Sequence, residues 1–235
     1  MERNELVLLR LSNQYLLRTG ERMEVLRAMN GFQAQFLSNA LYAMRLRSTA
    51  YDTAHAADSL VKSWTLRGTM HIFAEADLPL FLHTGCRYRS RDWTVPSFWN
   101  QRPNWALTPK RQAYFSDLII DALAQGPMTR EALKARCRAA GMTQAEEGSI
   151  FHPWGGVIRE LCERGFLCGT VSEEKAFRLC PAFTPMEEQD ALLEQTRRYF
   201  TNYGPASVRD AAYYFGTSQA EIKKRLARLP VEAAK

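Results

Sequence analysis

Apolar residues recur at helical spacing along the N-terminal third of the chain. Three such runs predict the first three helices: Leu6, Leu9, Leu16 and Leu17; Met23, Val25, Leu26 and Met29; and Phe36, Leu37, Ala40, Leu41 and Met44. A fourth helix is predicted over 54–63, a strand pattern follows over 65–73, and a short helix over 77–83. This region is therefore predicted to be mainly helical, with a strand near its end.

The middle of the chain is predicted to follow the order helix, turn, helix, helix, hairpin. Thr108 before Pro109 favours a helix start, and Gly165 suits the left-handed residue that often follows a helix end. The predicted elements are helices over 111–125, 130–140 and 149–164 and strands over 166–171 and 176–179. This order is typical of a winged helix.

The C-terminal part begins the same order again, with helices predicted over 187–202, 208–215 and 219–229. The Gly-Pro turns at 126–130 and 204–208 occupy equivalent places, a weak internal repeat. The predicted fold class is mainly α with short β-hairpins, built from tandem winged-helix (helix-turn-helix) modules of which the third is incomplete. The predicted divisions are a first module over 1–84, a basic aromatic linker over 85–107, a second module over 108–182 and a partial third module over 183–235.

Length and apolar content are those of an ordinary globular protein. The 235 residues, 46% of them hydrophobic, suffice for one large core or several small ones. Glu2, Arg3 and Glu5 precede a mixed segment, unlike a cleavable signal, and no apolar run approaches the ~18 to 20 residues that span a bilayer. A cytoplasmic location is expected.

The cysteines do not predict a metal site. All five are irregularly spaced, with no C-x-x-C pair: Cys86, Cys137, Cys162, Cys168 and Cys180. Cytosolic cysteines usually pack as small apolar residues, so neither zinc nor a disulfide framework is expected.

The net charge of +6 and the pI near 9.2 favour an anionic partner. The most basic stretch, 85–111, carries a single acid, Asp92, against Arg87, Arg89, Arg91, Arg102, Lys110 and Arg111. Five aromatic residues are interleaved with these charges: Tyr88, Trp93, Phe98, Trp99 and Trp105. Two interpretations stay open: a nucleic-acid-binding segment, or a surface linker whose aromatic residues are half buried beneath arginine stems.

Two short motifs carry the candidate chemistry. The first is G-F-Q-A-Q at 31–35, and the second is W-T-L-R-G-T-M-H at 64–71. Each also has a structural interpretation, because a Q-x-Q pair is usually a solvated helix face and glycine within a strand often marks a bulge. On the structural interpretation His71 is a histidine at the edge of the core.

With the helix end at 164–167 and the segment 203–206, these motifs resemble the AlkZ-like DNA glycosylases. That bacterial family of tandem winged-helix proteins excises alkylated purines, and some members unhook interstrand crosslinks. The resemblance covers essentially the whole chain, and the first two motifs are its most specific part. Members continue beyond the point that matches Lys235, so we expect this sequence to be a fragment or a shortened relative.

The resemblance implies a monofunctional glycosylase that hydrolyses the N-glycosidic bond of N7-substituted purines in duplex DNA. The family's catalytic motif of two glutamines around an apolar residue matches Gln33, Ala34 and Gln35. A sister branch has an acid at the second glutamine, so Gln35 groups this chain with the first branch. The resemblance implies a nucleoid-associated monomer without metal or cofactor, whose expected DNA contacts are Arg45, Arg67, Thr69, His71, Arg87, Arg89 and Arg91.

Helix geometry constrains how the two glutamines could act together. Residues two apart on a helix point about 200° apart, so Gln33 and Gln35 converge only if Gln33 lies at or before the helix start. Gly31 favours such a start, and we predict that the third helix begins near Gln33, with one or both amides facing a basic groove. The alternatives are a non-catalytic winged-helix DNA-binding protein or regulator, and a protein-interaction scaffold.

Overall fold

The computed structural model describes residues 2–82, 104–172 and 174–230. These residues form eleven α-helices and six short strands. The chain divides into two compact units, the first made of Met1–Val61, Thr65–Phe81 and Thr184–Lys235, and the second of Lys62–Trp64 and Leu82–Phe183. Most described residues of the predicted first and third modules fall in the first unit, whereas Lys62–Trp64, Leu82 and Phe183 belong to the second.

Helices and short strands alternate along the chain. The first elements are α1 Arg3–Asn13, α2 Arg22–Ala28, β1 Phe32–Gln33, α3 Leu37–Arg45, β2 Leu60–Trp64, β3 Met70–Ala74 and α4 Leu78–Phe81. After the gap come α5 Pro109–Leu123, β4 Met128–Thr129, α6 Arg130–Ala139, α7 Gln144–Ile150, α8 Gly156–Glu163, β5 Leu167–Gly169 and β6 Ala176–Leu179. The last helices are α9 Glu188–Tyr203, α10 Val208–Phe215 and α11 Gln219–Leu226.

The first unit packs helix α9 against α1, α2, α4 and α11. Its core is formed by fully buried apolar side chains that include Leu26, Met44, Ile72 and Phe73. A buried ion pair joins α9 to the turn before α4, because the Arg198 guanidinium donates to both oxygens of Asp77 at 2.7 and 2.9 Å. This bidentate geometry fixes α9 beside the segment that follows β3.

The second unit contains three antiparallel strands in the order β5, β6, β4, and Lys62 at the start of the unit pairs with Gly169. Three of its helices begin at a capping threonine, namely Thr108, Thr129 and Thr143. Glu146 completes the capping box of α7 and also accepts from Arg111 at 2.6 Å, which lowers the pKa of Glu146 to about 2. Local hydrogen bonding therefore fixes most helix starts in this unit.

Several predicted elements are confirmed. The hairpin is present as β5 and β6, and α5 begins after the Thr108-Pro109 start signal. Most of the remaining predicted helices also occur, with shifted ends.

Three predictions are wrong. Residues 54–63 form turns and the start of β2, because the buried Leu60, Val61 and Ser63 belong to a strand. The helix predicted over 149–164 is broken after Ile150, where Pro153 and the left-handed Gly156 interrupt it. The third helix begins at Leu37 rather than near Gln33, because the residues before it pair with β3 instead.

Candidate functional site

Gly31 brings the first glutamine against a neighbouring strand. Its φ of +76° lies in the left-handed region, and an added Cβ would approach the Ile72 carbonyl oxygen to 2.5 Å. Only glycine fits both constraints without strain. The close approach lets β1 pair with β3, with Phe32 opposite Ile72 and Gln33 opposite His71.

The backbone continues its pairing with β3 through Ala34 and bends at Gln35 and Phe36. The Ala34 amide donates to the Met70 carbonyl at 2.7 Å, which continues the pairing with β3. Burial alternates along this stretch, since Phe32 and Ala34 are 8% and 0% exposed while Gln33 and Gln35 are exposed. Both amides therefore lie outward, on either side of the buried Ala34. We call residues 33–35 the glutamine segment.

The extended conformation explains why the predicted helix start is wrong. Pairing with β3 satisfies the backbone groups of Phe32, Gln33 and Ala34 that a helix would otherwise use. The helical spacing of about 200° between the glutamines therefore does not apply. Neither amide is buried in a core, so both remain accessible to a substrate.

His71 lies on the same face of the paired strands as Gln33, because directly opposite residues of antiparallel strands share a face. Its side chain is buried, with the residue 5% exposed, and burial lowers its pKa to about 4. Nδ1 lies 3.0 Å from the Thr69 carbonyl oxygen, so this nitrogen carries the proton of the neutral ring. The position is that of a core-edge histidine, and its direct contact with DNA stays a prediction.

Arg67 and Thr69 form the turn between β2 and β3. Arg67 has a φ of +54°, and its guanidinium donates to the Tyr214 carbonyl at 2.7 Å and lies 5.5 Å from that ring. The Thr69 hydroxyl donates to the Leu66 carbonyl at 3.0 Å. Both side chains therefore stabilise the turn that precedes His71, and the exposed Arg67 adds positive charge at the surface.

The outward side of α3 continues the surface that begins at the glutamine segment. Ala40 and Met44 are buried, while the exposed positions are Ser38, Asn39, Tyr42, Arg45 and Leu46. Phe36, immediately before α3, is 69% exposed. Helical spacing places Phe36 in the apolar stripe of a helix, so the sequence pattern missed its exposure. The sequence does contain one signal for a surface that contacts an anion, because no Asp or Glu occurs between Glu24 and Asp52.

The remaining predictions concern three arginines, a membrane span and a metal site. Arg87, Arg89 and Arg91 lie outside the described residues. Along residues 2–82, 104–172 and 174–230, no helix combines the length and apolarity needed to cross a bilayer. Within the same ranges, no group of three or more His, Cys, Asp or Glu side chains is placed to hold a metal ion.

Comparison with known proteins gives a consistent result. A family model described as DNA glycosylase AlkZ-like matches residues 26–234. The curated interstrand DNA cross-link repair glycosylase of Streptomyces sahachiroi is 29% identical over 202 residues, which cover 79% of this chain and 52% of the relative. The solved structure of Streptomyces sahachiroi DNA glycosylase AlkZ matches with a TM-score of 0.71 and 23% identity, over 98% of this chain and 66% of that one. This chain thus spans about half the length of its curated relative.

Proposed function

The chain belongs to the AlkZ-like DNA glycosylase family, and we propose that it hydrolyses the N-glycosidic bond of N7-substituted purines in duplex DNA. The observation that carries the proposal is the exposure of both Gln33 and Gln35, on either side of the buried Ala34. The relative is named for interstrand cross-link repair, so cross-linked purines are included among the proposed substrates.

The chemistry of the substrate fits an amide pair. An N7-substituted purine already carries positive charge on the base, so the glycosidic bond breaks without a strong general acid. The remaining requirement is a water molecule held near the anomeric carbon. A glutamine carbonyl accepts a hydrogen bond from such a water and its NH2 group donates to a neighbour, although the amide is no general base at neutral pH.

In this proposal Gln33 and Gln35 orient the attacking water from one side of the sugar. Catalysis then comes from positioning and from electrostatic stabilisation of a sugar that becomes cationic. The neutral state of His71 is compatible with this role, because an imidazolium beside Gln33 would repel the developing charge. The side-chain carbonyl dipoles of the two glutamines would have the opposite, favourable effect.

DNA would be held by the surface around the glutamine segment. Arg45 is exposed at the end of α3, and Arg67 adds a second exposed guanidinium at the turn before β3. Guanidinium groups suit phosphate oxygens. The proposed DNA contacts also include Thr69, His71, Arg87, Arg89 and Arg91.

The second unit supports a winged-helix assignment, which we include in the proposal. Its element order is α5, β4, α6, α7, α8 and the β5–β6 hairpin, with β4 paired to β6. In the first unit β1, which lies between α2 and α3 in the chain, pairs with β3. Both units are proposed to contain winged modules of the kind that bind DNA.

The decisive experiment measures release of N7-methylguanine from alkylated duplex DNA under single-turnover conditions. The double variant Gln33→Ala, Gln35→Ala is expected to lower the rate at least ~100-fold, the size of effect seen when an oriented electrostatic group is removed. The matched control is Gln125→Ala, Gln189→Ala, which removes two other exposed glutamines and is expected to retain the wild-type rate.

Two outcomes would contradict the proposal. Equal release by the wild type and the glutamine double variant would remove the amides from catalysis. No release by the wild type, together with salt-sensitive binding to undamaged duplex, would favour the non-catalytic DNA-binding alternative.

A further inference from the structure

We propose that Phe36 is a wedge that enters the base stack beside the damaged nucleotide and holds the stack open while the glutamines act. The inference rests on the proposed glycosylase function, because it names a positioning residue for that reaction. It is carried by three observations: the exposure of Phe36, the geometry of its junction, and the charge of the surface around it.

The Phe36 ring is presented to solvent from a fixed backbone. The residue is 69% exposed, although it follows directly on Gln35 and its neighbour Ala34 is fully buried. Its carbonyl accepts the first hydrogen bond of α3 from Ala40, at 3.4 Å. Single exposed aromatic residues are common on protein surfaces. This one lies next to the proposed catalytic amide on backbone held by a strand on one side and a helix on the other.

The equivalent junction of the second unit has no such residue. There Thr129 ends β4 and itself caps α6, accepting from the Ala132 amide at 3.1 Å. In the first unit three residues separate β1 from α3, and Phe36 occupies the N-cap position without a side-chain cap bond. The position therefore forgoes the helix stabilisation that Ser, Thr, Asp or Asn would provide. Its side chain is not buried either. We therefore infer that the ring interacts with a molecule other than this chain.

The charge of the surrounding surface identifies that interaction as one with DNA. No acid occurs between Glu24 and Asp52, while Arg45 is exposed on the helix that Phe36 begins. Ser38, Asn39 and Tyr42 add exposed hydrogen-bonding groups on the same helix. An acid-free segment with exposed hydrogen-bonding groups complements a phosphate backbone. An apolar ring at its end then meets the bases.

Energetics fit a wedge. The chain bends at Gln35 and Phe36, and both side chains are exposed although they are adjacent in sequence. Removing a nucleotide from the stack costs unstacking energy, and inserted apolar side chains compensate for part of it. Phe36 would fill the opened step while Gln35 faces the sugar of the displaced nucleotide.

The first test detects unstacking without cleavage. The probe is a duplex containing 2′-fluoro-N7-methylguanosine, whose fluorine slows glycosidic cleavage, with 2-aminopurine as the neighbouring base. Saturating wild-type protein is expected to raise 2-aminopurine fluorescence at least ~2-fold, because the neighbour loses a stacking partner. Phe36→Ala is expected to abolish the rise and Phe36→Trp to retain it. Tyr213→Ala, which removes an aromatic residue that is 84% exposed on α10, is the matched control.

The second test measures single-turnover base release from two substrates. For a lesion in fully paired duplex, Phe36→Ala is expected to lower the rate about 10-fold, in the range expected from the loss of one aromatic stacking partner. For the same lesion in single-stranded DNA, where unstacking costs least, the expected loss is under ~2-fold. A folding defect would lower both rates equally, so the ratio separates a wedge from damage to the protein.

The outcomes separate the wedge from the proposed function. A fluorescence rise that persists in Phe36→Ala, or no rise with the wild type, overturns the wedge, as does equal loss of rate on both substrates. Absence of base release from every substrate by the wild type overturns the glycosylase function instead. The fluorescence readout still decides the role of Phe36 in that case, since it requires no cleavage.

Discussion

Two junctions between a short strand and a helix, one in each unit, differ in how the helix begins. In the second unit Thr129 is both the last residue of β4 and the cap of α6. In the first unit the glutamine segment and Phe36 extend from β1 to α3 and leave polar and aromatic side chains exposed where a capped helix could begin. The difference shows that a strand-to-helix junction can either cap its helix or leave polar and aromatic side chains exposed.

The comparison also locates the elements on which each junction depends. The second junction combines a local contact, the Thr129 side-chain hydrogen bond across three residues, with the pairing of β4 to β6. The first is held by contacts distant in sequence, since β1 pairs with β3 and the buried Asn30 amide just before it donates to the Gln195 carbonyl of α9. Local substitutions should therefore perturb the second junction mildly and the first one strongly where they disturb that pairing.

Gly31→Ala is expected to have the largest effect. Gly31 has a left-handed φ of +76°, and an added Cβ would lie 2.5 Å from the Ile72 carbonyl oxygen. With alanine at this position β1 must therefore move away from β3. We expect a loss of about 3 kcal/mol or more in the free energy of unfolding, measured by urea denaturation. Gly141→Ala is the matched control, with a φ of +82° but no atom within 4 Å of the added Cβ.

The control should lose only ~1 kcal/mol, the cost of the backbone conformation alone. Equal losses in the two variants would show that close packing against β3 does not hold the glutamine segment in place. Full base-release activity in Gly31→Ala would also contradict the conclusion that packing against β3 positions the glutamine segment.

His71 provides a pH-dependent test of the first junction. Its folded-state pKa of about 4 lies below the ordinary value of 6.5, so the unfolded chain binds the proton first as the pH falls. The stabilisation is complete above about pH 6.5 and is lost as the pH falls toward 4, by about 2 kcal/mol at pH 5. Unfolding by urea at pH 8 and pH 5 measures this loss.

Comparison with two variants isolates the contribution of His71. His71→Leu should remove most of the difference between pH 8 and pH 5. It also lowers stability at both pH values, because the Thr69 carbonyl loses one of its two donors and keeps only the Thr65 amide. His55→Ala removes an exposed imidazole that pairs with Asp52 and should leave the loss near the wild-type size. A wild-type stability that does not fall from pH 8 to pH 5 would contradict the burial of His71.

Sequence patterns predicted the locally determined parts of the molecule. The Thr108-Pro109 helix start and the β5–β6 hairpin depend on neighbouring residues, and both are present. The two-residue strand β1 has no detectable periodicity, because it exists through pairing with residues 71 and 72. For the same reason the glutamines were identified as a motif while their placement on either side of the buried Ala34 and the exposed Phe36 were not.

Thr129→Ala tests the capped junction and is expected to have a smaller effect. Loss of the bond from the Ala132 amide should lower the free energy of unfolding by about 1 kcal/mol. Thr201→Ala, at an exposed position within α9, is a matched control in which no cap is lost. A loss in the control as large as in Thr129→Ala would mean that the cap does not stabilise this junction.

Phe36→Ser converts the first junction toward the second and has the smallest expected effect on stability. The backbone at Phe36 already has the extended φ and ψ of an N-cap residue, −113° and 114°, so a serine hydroxyl can accept from the first turn of α3. We expect stability to rise by about 0.5 to 1 kcal/mol while base release from paired duplex falls as in Phe36→Ala. If Phe36 contacts the substrate instead of capping the helix, its replacement by serine should raise stability and lower activity. A stability loss in Phe36→Ser would show instead that the exposed ring contributes to folding, and a wild-type rate of base release would show that it is not needed for the reaction.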